Sequence, residues 1–177
     1  AGASSFGYAG RPGDHGYHAT EFVMVDAEWW PADAQERRLF ESPNAHDRGS
    51  MGYNESFRLQ HFRLTGPWAN DGVLRIGLFL AQSGEASSID QVRSDGFSIG
   101  IGAYGGVPLT AGTISAFGNH VAGFAALGSA MATFSIQTLS GDANGCLLGV
   151  LPYADQPAGG NVWVGLMKYE DGVSAGM

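Results

Sequence analysis

A small-residue turn pair followed by an apolar step occurs five times in this chain: Asp71-Gly72-Val73, Asp95-Gly96-Phe97, Ala122-Gly123-Phe124, Asn144-Gly145-Cys146 and Asp171-Gly172-Val173. The five glycines lie 24, 27, 22 and 27 residues apart. Ahead of each stands an apolar pair spaced i, i+3: Leu59 and Phe62, Ile89 and Val92, Ile114 and Phe117, Ile136 and Leu139, Val164 and Met167. A fixed order of features at a period in the twenties marks a solenoid, in which each coil buries its apolar face against its neighbours. Paired helices and a leucine-asparagine ladder are both missing, so the period predicts a right-handed parallel β-helix. Three short strands per coil are expected, stacked about 4.8 Å apart, with five coils from about residue 57. A β-sandwich is the alternative, since its strands also recur at short intervals. It gives no reason for the apolar pair and the glycine step to repeat in order.

The chain divides at about residue 55. Residues 1–54 read as an N-terminal arm or capping segment, rich in Gly, Asp and His, with one strand candidate at Phe22-Val23-Met24-Val25 that Trp29-Trp30-Pro31 ends. Residues 32–41 carry Ala, Gln, Glu, Arg and Leu without Gly or a β-branched residue, and predict one short helix. Residues 55–177 are the coils, and the turn-plus-apolar step at Asp171-Gly172-Val173 predicts that they continue beyond Met177. Within Phe57 to Leu64, apolar residues fall at 57, 59, 62 and 64, and the slip between 59 and 62 predicts a corner or bulge.

With 44% apolar residues and 28 glycines in 177, the chain has enough core to fold and an excess of corner residues. A net charge of −8 with nine Lys and Arg in total argues against nucleic acid as a partner, because phosphate binding needs clustered basic residues. No apolar run reaches the length of a membrane helix, so membrane insertion is not expected. The single cysteine, Cys146, cannot form a disulfide within the chain and reads as a small buried hydrophobe.

From Glu85-Ala86-Ser87-Ser88-Ile89-Asp90 through Gly106-Val107-Pro108-Leu109, Gly112-Thr113-Ile114-Ser115, Ala122-Gly123-Phe124 and Thr138-Leu139-Ser140-Gly141-Asp142, the coil pattern resembles the pectate-lyase-like right-handed β-helices. It is most similar to those of bacteriophage tail spikes and related virion adhesins. The resemblance covers about residues 55–177. It implies a structural, adhesive rod on a virion surface or outside the cell, assembled as a homotrimer beside other virion proteins and holding a host polysaccharide. The alternative it implies is a depolymerase that cleaves host capsule or lipopolysaccharide. The Asn-Thr-Asp, Asp-Asp, Gly-His-Gly and Arg-Ile-Lys signatures of the polygalacturonase-type enzymes do not occur.

Glycoside hydrolysis uses two carboxyl groups, and equivalent positions on adjacent coils are close enough to supply them. Glu85 and Asp90 are the candidate catalytic residues, with Asp71 and Asp95 nearby. Asp71 and Asp95 each precede a turn glycine, where Asp is favoured for its hydrogen bonds to backbone. Trp68, Tyr104, Tyr153 and Trp163 lie in or beside turns and are the candidate glycan-binding residues, because an aromatic face stacks on a sugar ring. The competing role is to seal the ends and loops of the stack. Asp14, His15, His18 and Glu21 match no zinc-ligand spacing. Gly100, Gly102 and Gly105 match a dinucleotide-loop spacing, but Gly106-Val107-Pro108 follows where a helix is required. No metal and no cofactor is expected.

Overall fold

A computed structural model describes residues 20–24, 34–41, 58–83, 87–106, 109–128 and 133–169. The described residues are all-β. The strands are β1 (Thr20–Val23), β2 (Glu36–Glu41), β3 (Arg58–Thr65), β4 (Leu74–Ser83), β5 (Ser87–Asp95), β6 (Ile99–Gly106), β7 (Leu109–Phe117), β8 (Ala122–Leu127), β9 (Thr133–Asp142), β10 (Leu148–Leu151) and β11 (Asn161–Tyr169). Odd strands form one six-stranded sheet, β1-β3-β5-β7-β9-β11, and even strands a five-stranded sheet, β10-β8-β6-β4-β2. Every neighbouring pair is parallel. The chain is therefore a parallel β-solenoid with two strands per coil where three were expected, and the sandwich alternative is set aside. Strands β1 and β2 fall within residues 1–54, so that segment supplies the first strand of each sheet.

The i, i+3 spacing records a kink in the middle of the odd strands from β3 onward. Leu59, Ile89, Ala111, Ile136 and Val164 form one column, and Phe62, Val92, Ile114, Leu139 and Met167 the next. On β3, β5, β7 and β9 the intervening residues turn the backbone so that both flanking side chains pack with the core, whereas Met167 on the outer strand β11 is exposed. His61 (φ 60°) and Gln91 (φ 51°) mark the break. The predicted bulge between 59 and 62 is thus present. The third pair is not Ile114 with Phe117 but Ala111 with Ile114. Ala111 is too small to stand out, while Phe117 ends its strand in the column of Asp95 and Asp142.

The five glycines of the sequence pattern are not equivalent. Gly96 (φ 72°) belongs to a corner where Gly118 (φ 60°) and Ala143 (φ 53°) follow on later coils. The amides of Gly96 and Gly118 donate to Phe117 O and Asp142 O, each at 3.0 Å, which links successive corners. Gly123 lies inside β8, in a column with Gly77 and Gly100. A Cβ at Gly77 would meet the Phe97 ring at 3.0 Å, and one at Gly123 would meet Ala116 Cβ at 2.7 Å. Gly172 lies outside the described residues.

In the two later corners asparagine stands where the first has an apolar side chain. Phe97, Asn119 and Asn144 follow the corner residues Gly96, Gly118 and Ala143. Asn119 Oδ1 accepts the Phe97 amide (3.1 Å), and Asn119 Nδ2 donates to Ser94 O (3.2 Å) and to Asn144 Oδ1 (2.9 Å). Asn144 Oδ1 also accepts the Asn119 amide (3.0 Å), and Asn144 Nδ2 donates to Ala116 O (2.7 Å). This buried ladder satisfies main-chain groups that the corner removes from the sheets.

Where a helix was predicted over 32–41, residues 36–41 form strand β2, paired with β4 from Glu36↔Leu74 to Glu41↔Phe79. Phe40 packs with the central core, while Arg38 lies over the ring of Phe79 on the outer layer. Strand alternation against a vacant sheet edge outweighs helix propensities of a few tenths of a kcal/mol per residue, roughly.

The central core lies between the sheets and includes Leu64, Leu78, Ile89, Phe97, Ile101, Ile114, Phe124, Phe134 and Leu139. A second apolar layer covers the outer face of the even sheet, where Ile76, Phe79, Ala81, Ile99 and Leu127 are buried with Tyr104, Leu151 and Tyr153 against them. Neighbours in β4 divide between the two layers, Leu78 and Leu80 inward and Phe79 and Ala81 outward.

Candidate functional site

The corner that follows the odd strands carries an aromatic platform. Trp68 comes after Gly66-Pro67 and adopts φ 58°, an outlying backbone conformation for so bulky a residue. Its amide donates to Gly96 O at 3.0 Å. The indole rests on the corner glycines: a Cβ at Gly96 would lie 2.6 Å from its ring, and one at Gly118 would overlap it. Two glycines in stacked coils thus make the flat bed that the ring needs. Trp68 remains 56% exposed.

Beside this platform, on the outer face of the odd sheet, the Arg93 guanidinium stands 4.4 Å from the ring centre of Phe117, the residue before Gly118. Arg93 Nε donates to both oxygens of Asp95, each at 3.0 Å, and Arg63 Nη2 pairs with Asp95 Oδ2 at 2.5 Å. Asp95 is buried. It bridges two arginines one coil apart, which fixes the Arg93 side chain over Phe117.

The other two aromatic candidates meet on the outer face of the even sheet. Tyr104 and Tyr153 pack edge to face with ring centres 5.2 Å apart, and Tyr153 lies 5.5 Å from Phe79. The Tyr153 hydroxyl donates to Glu36 Oε1 (2.6 Å) and accepts from Arg38 Nη2 (2.7 Å). Arg38 Nε also donates to Glu36 Oε1 (2.6 Å), and its guanidinium covers Phe79 at 3.7 Å from the ring centre. Burial, then the Glu36 carboxylate, pushes the Tyr153 hydroxyl up to about 12. These contacts occupy both tyrosines in packing. Trp163 stands apart on β11, outward and 69% exposed, in the column of Thr110 and Ser135.

Of the candidate acids, Asp90 and Asp71 have local partners. Glu85 lies outside the described residues. Asp90 Oδ1 accepts the amides of Gln91 and Thr113, both at 2.8 Å, at the kink of β5 and β7. Gly112 lies beneath that carboxylate, with no space for a Cβ. Asp71 forms a bidentate pair with Arg75 (2.6 and 2.9 Å), and its Oδ1 accepts the Val73 amide. The Arg75 hydrogen bond and the Val73 amide hold the Asp71 carboxyl well below the usual carboxylate range. Asp71 thus serves the backbone hydrogen bonding expected of a residue before a turn glycine, whereas Asp95 is held by the Arg93 and Arg63 side chains. Among the described residues, no three His, Cys, Asp or Glu side chains converge to hold a metal ion. Cys146 is half-buried, and its thiol donates to Val121 O at 3.2 Å. Burial raises its pKa, which disfavours the reactive thiolate.

Sequence reasoning missed Arg93 with Phe117, the asparagine ladder, and the Glu36–Arg38 partners of Tyr153. A signal for the ladder was present: the triplets Asp95-Gly96-Phe97, Phe117-Gly118-Asn119 and Asp142-Ala143-Asn144 begin 22 and 25 residues apart. Aligning them would have given the true corner register. The architecture and the surface together define a parallel β-solenoid with an aromatic platform on one corner. Comparison with known proteins finds no matching family model, curated protein or solved structure.

Proposed function

We propose that this chain is a structural, adhesive β-solenoid of a virion surface, or of a comparable extracellular surface, that holds a glycan at the Trp68 corner. The observation that carries the reading is the Trp68 indole, half-exposed and flat on Gly96 and Gly118, with its backbone held at φ 58°. A strained residue presenting an aromatic face to solvent suits recognition better than packing. Arg93, ordered by Asp95 and Phe117, would donate to sugar hydroxyls beside the stacked ring. Homotrimeric assembly with other virion proteins belongs to the same proposal and rests on the coil-pattern resemblance. Among the described residues no contact favours the depolymerase alternative: Asp90 Oδ1 is engaged by the Gln91 and Thr113 amides, and Glu85 lies outside the described residues.

Titration with capsule and lipopolysaccharide oligosaccharides, followed by tryptophan fluorescence, tests the reading. A saturable change that weakens about tenfold or more in Trp68→Ala, with the circular dichroism unchanged, supports it. Absence of binding across the panel, or equal binding by Trp68→Ala, overturns it. Native mass measurement tests the trimer, and a monomer at working concentration refutes that part alone.

A further inference from the structure

We infer that residues 152–157 are a latched strap that ties the two outer strands of the five-stranded sheet together under backbone strain. Tyr153 is the latch, and Glu36 with Arg38 holds it. In the five-stranded sheet, β10 and β2 are the opposite outer strands. Four strand spacings separate them, about 19 Å. Tyr153 follows β10 by two residues, yet its hydroxyl bonds Glu36 and Arg38 on β2.

The path between them crosses the whole sheet. Gln156 packs over the end of β8, where a Cβ at Gly128 would lie 3.2 Å from Gln156 Cβ. The Tyr153 ring then touches Tyr104 of β6 and Phe79 of β4, and its hydroxyl reaches β2. The strap therefore spans the second apolar layer and covers it.

The reversal that aims Tyr153 backwards is strained. Tyr153 and Gln156 exchange both backbone hydrogen bonds (3.0 and 2.9 Å) across a two-residue turn. Its central residues, Ala154 and Asp155, have φ values of 49° and 64°. Such positions favour Gly, Asn or Asp, so Asp155 is tolerated while Ala154 is held in a conformation its side chain disfavours. The latch holds closed a turn that Ala154 disfavours.

In a coil stack each coil contacts only its neighbours, so the two ends ordinarily fray independently. The strap breaks that rule, and its opening and the fraying of β2 become one event. Native-state hydrogen exchange on the full chain tests this with two variants of opposite sign. Tyr153→Phe keeps the ring and removes the hydroxyl. It should speed exchange about tenfold in both 152–157 and 36–41 while leaving 109–117 unchanged. Replacing Ala154-Asp155 by Asn-Gly relaxes the turn and should slow exchange in both segments together. Faster exchange in the strap with wild-type rates in β2, a uniform increase over the whole chain, or no change in either segment would each overturn the inference. If Tyr153→Phe fails to fold, the Asn-Gly variant decides alone, by whether β2 slows with the strap.

Discussion

The hydroxyl of Tyr153 donates to Glu36 Oε1 at 2.6 Å, joining residues 117 positions apart in the chain. Burial and the Glu36 carboxylate raise the Tyr153 pKa to about 12, against about 10 for an unfolded tyrosine. The folded state therefore binds this proton more tightly than the unfolded state does. Its contribution is complete below about pH 10 and is lost as pH rises through about 12. Ionisation would place a phenolate beside a carboxylate and end the donation. Urea unfolding at pH 9 and again at pH 11.5 should show the wild type losing more stability than Tyr153→Phe. Equal losses would mean that another group governs the alkaline limb.

The solenoid was legible because its apolar pairs are large and regularly placed. Four of the five pairs fall in the true columns, and the third slipped by three residues because Ala111 is small and Ile114 belongs to two plausible pairs. The glycines misled on register, since close packing inside β8 and chain reversal at a corner both select glycine. Gly123 and Gly96 consequently look alike in sequence. The helix expected over 32–41 failed because edge pairing with β4 is a tertiary effect that local propensity does not contain. Trp68 was legible as an aromatic beside a turn, but its glycine bed comes from two other coils. The tie between Tyr153 and Glu36 has no local signature at all.

Asn119 should be among the least replaceable polar residues of the chain. Asn119→Ala leaves the buried Phe97 amide and Ser94 O without their partner, at a cost of roughly 2–4 kcal/mol. For a domain of this size that lowers the melting temperature by about 4–16 °C. Asn119→Asp keeps the acceptor for Phe97 but turns an oxygen towards Ser94 O and Asn144 Oδ1. It should rescue little of the loss. A melting temperature for the Asp variant close to wild type would show that the two donations from Nδ2 matter little.

Gly118 and Trp68 should be strongly coupled. Gly118→Ala meets two penalties, a left-handed backbone (φ 60°) and overlap with the indole. Together they should cost roughly 2–4 kcal/mol in chemical unfolding. With Trp68→Ala already present the overlap is gone, and the remaining backbone penalty is about 1–2 kcal/mol. A double-mutant cycle measures the difference directly. Additive losses would mean that the indole does not rest on that corner.

Asp90 gives the sharpest contrast between a backbone role and a chemical one. Its Oδ1 serves the amides of Gln91 and Thr113, and an asparagine can present the same oxygen in the same place. Asp90→Asn should therefore stay within about 0.5 kcal/mol of wild type, whereas Asp90→Ala frees both amides and loses about 1 kcal/mol. Gly112→Ala should be destabilising in the wild type, because its methyl overlaps the Asp90 carboxylate, and milder once residue 90 is alanine. Stability alone would leave a chemical role untouched, so the same Asn variant belongs in a reducing-end assay on capsule and lipopolysaccharide. Any cleavage by the wild type should persist in Asp90→Asn, since the kink is preserved. Cleavage abolished in a variant of unchanged stability would assign that carboxylate to catalysis, because an amide keeps the hydrogen bonds of the kink but cannot ionise to act as acid or base.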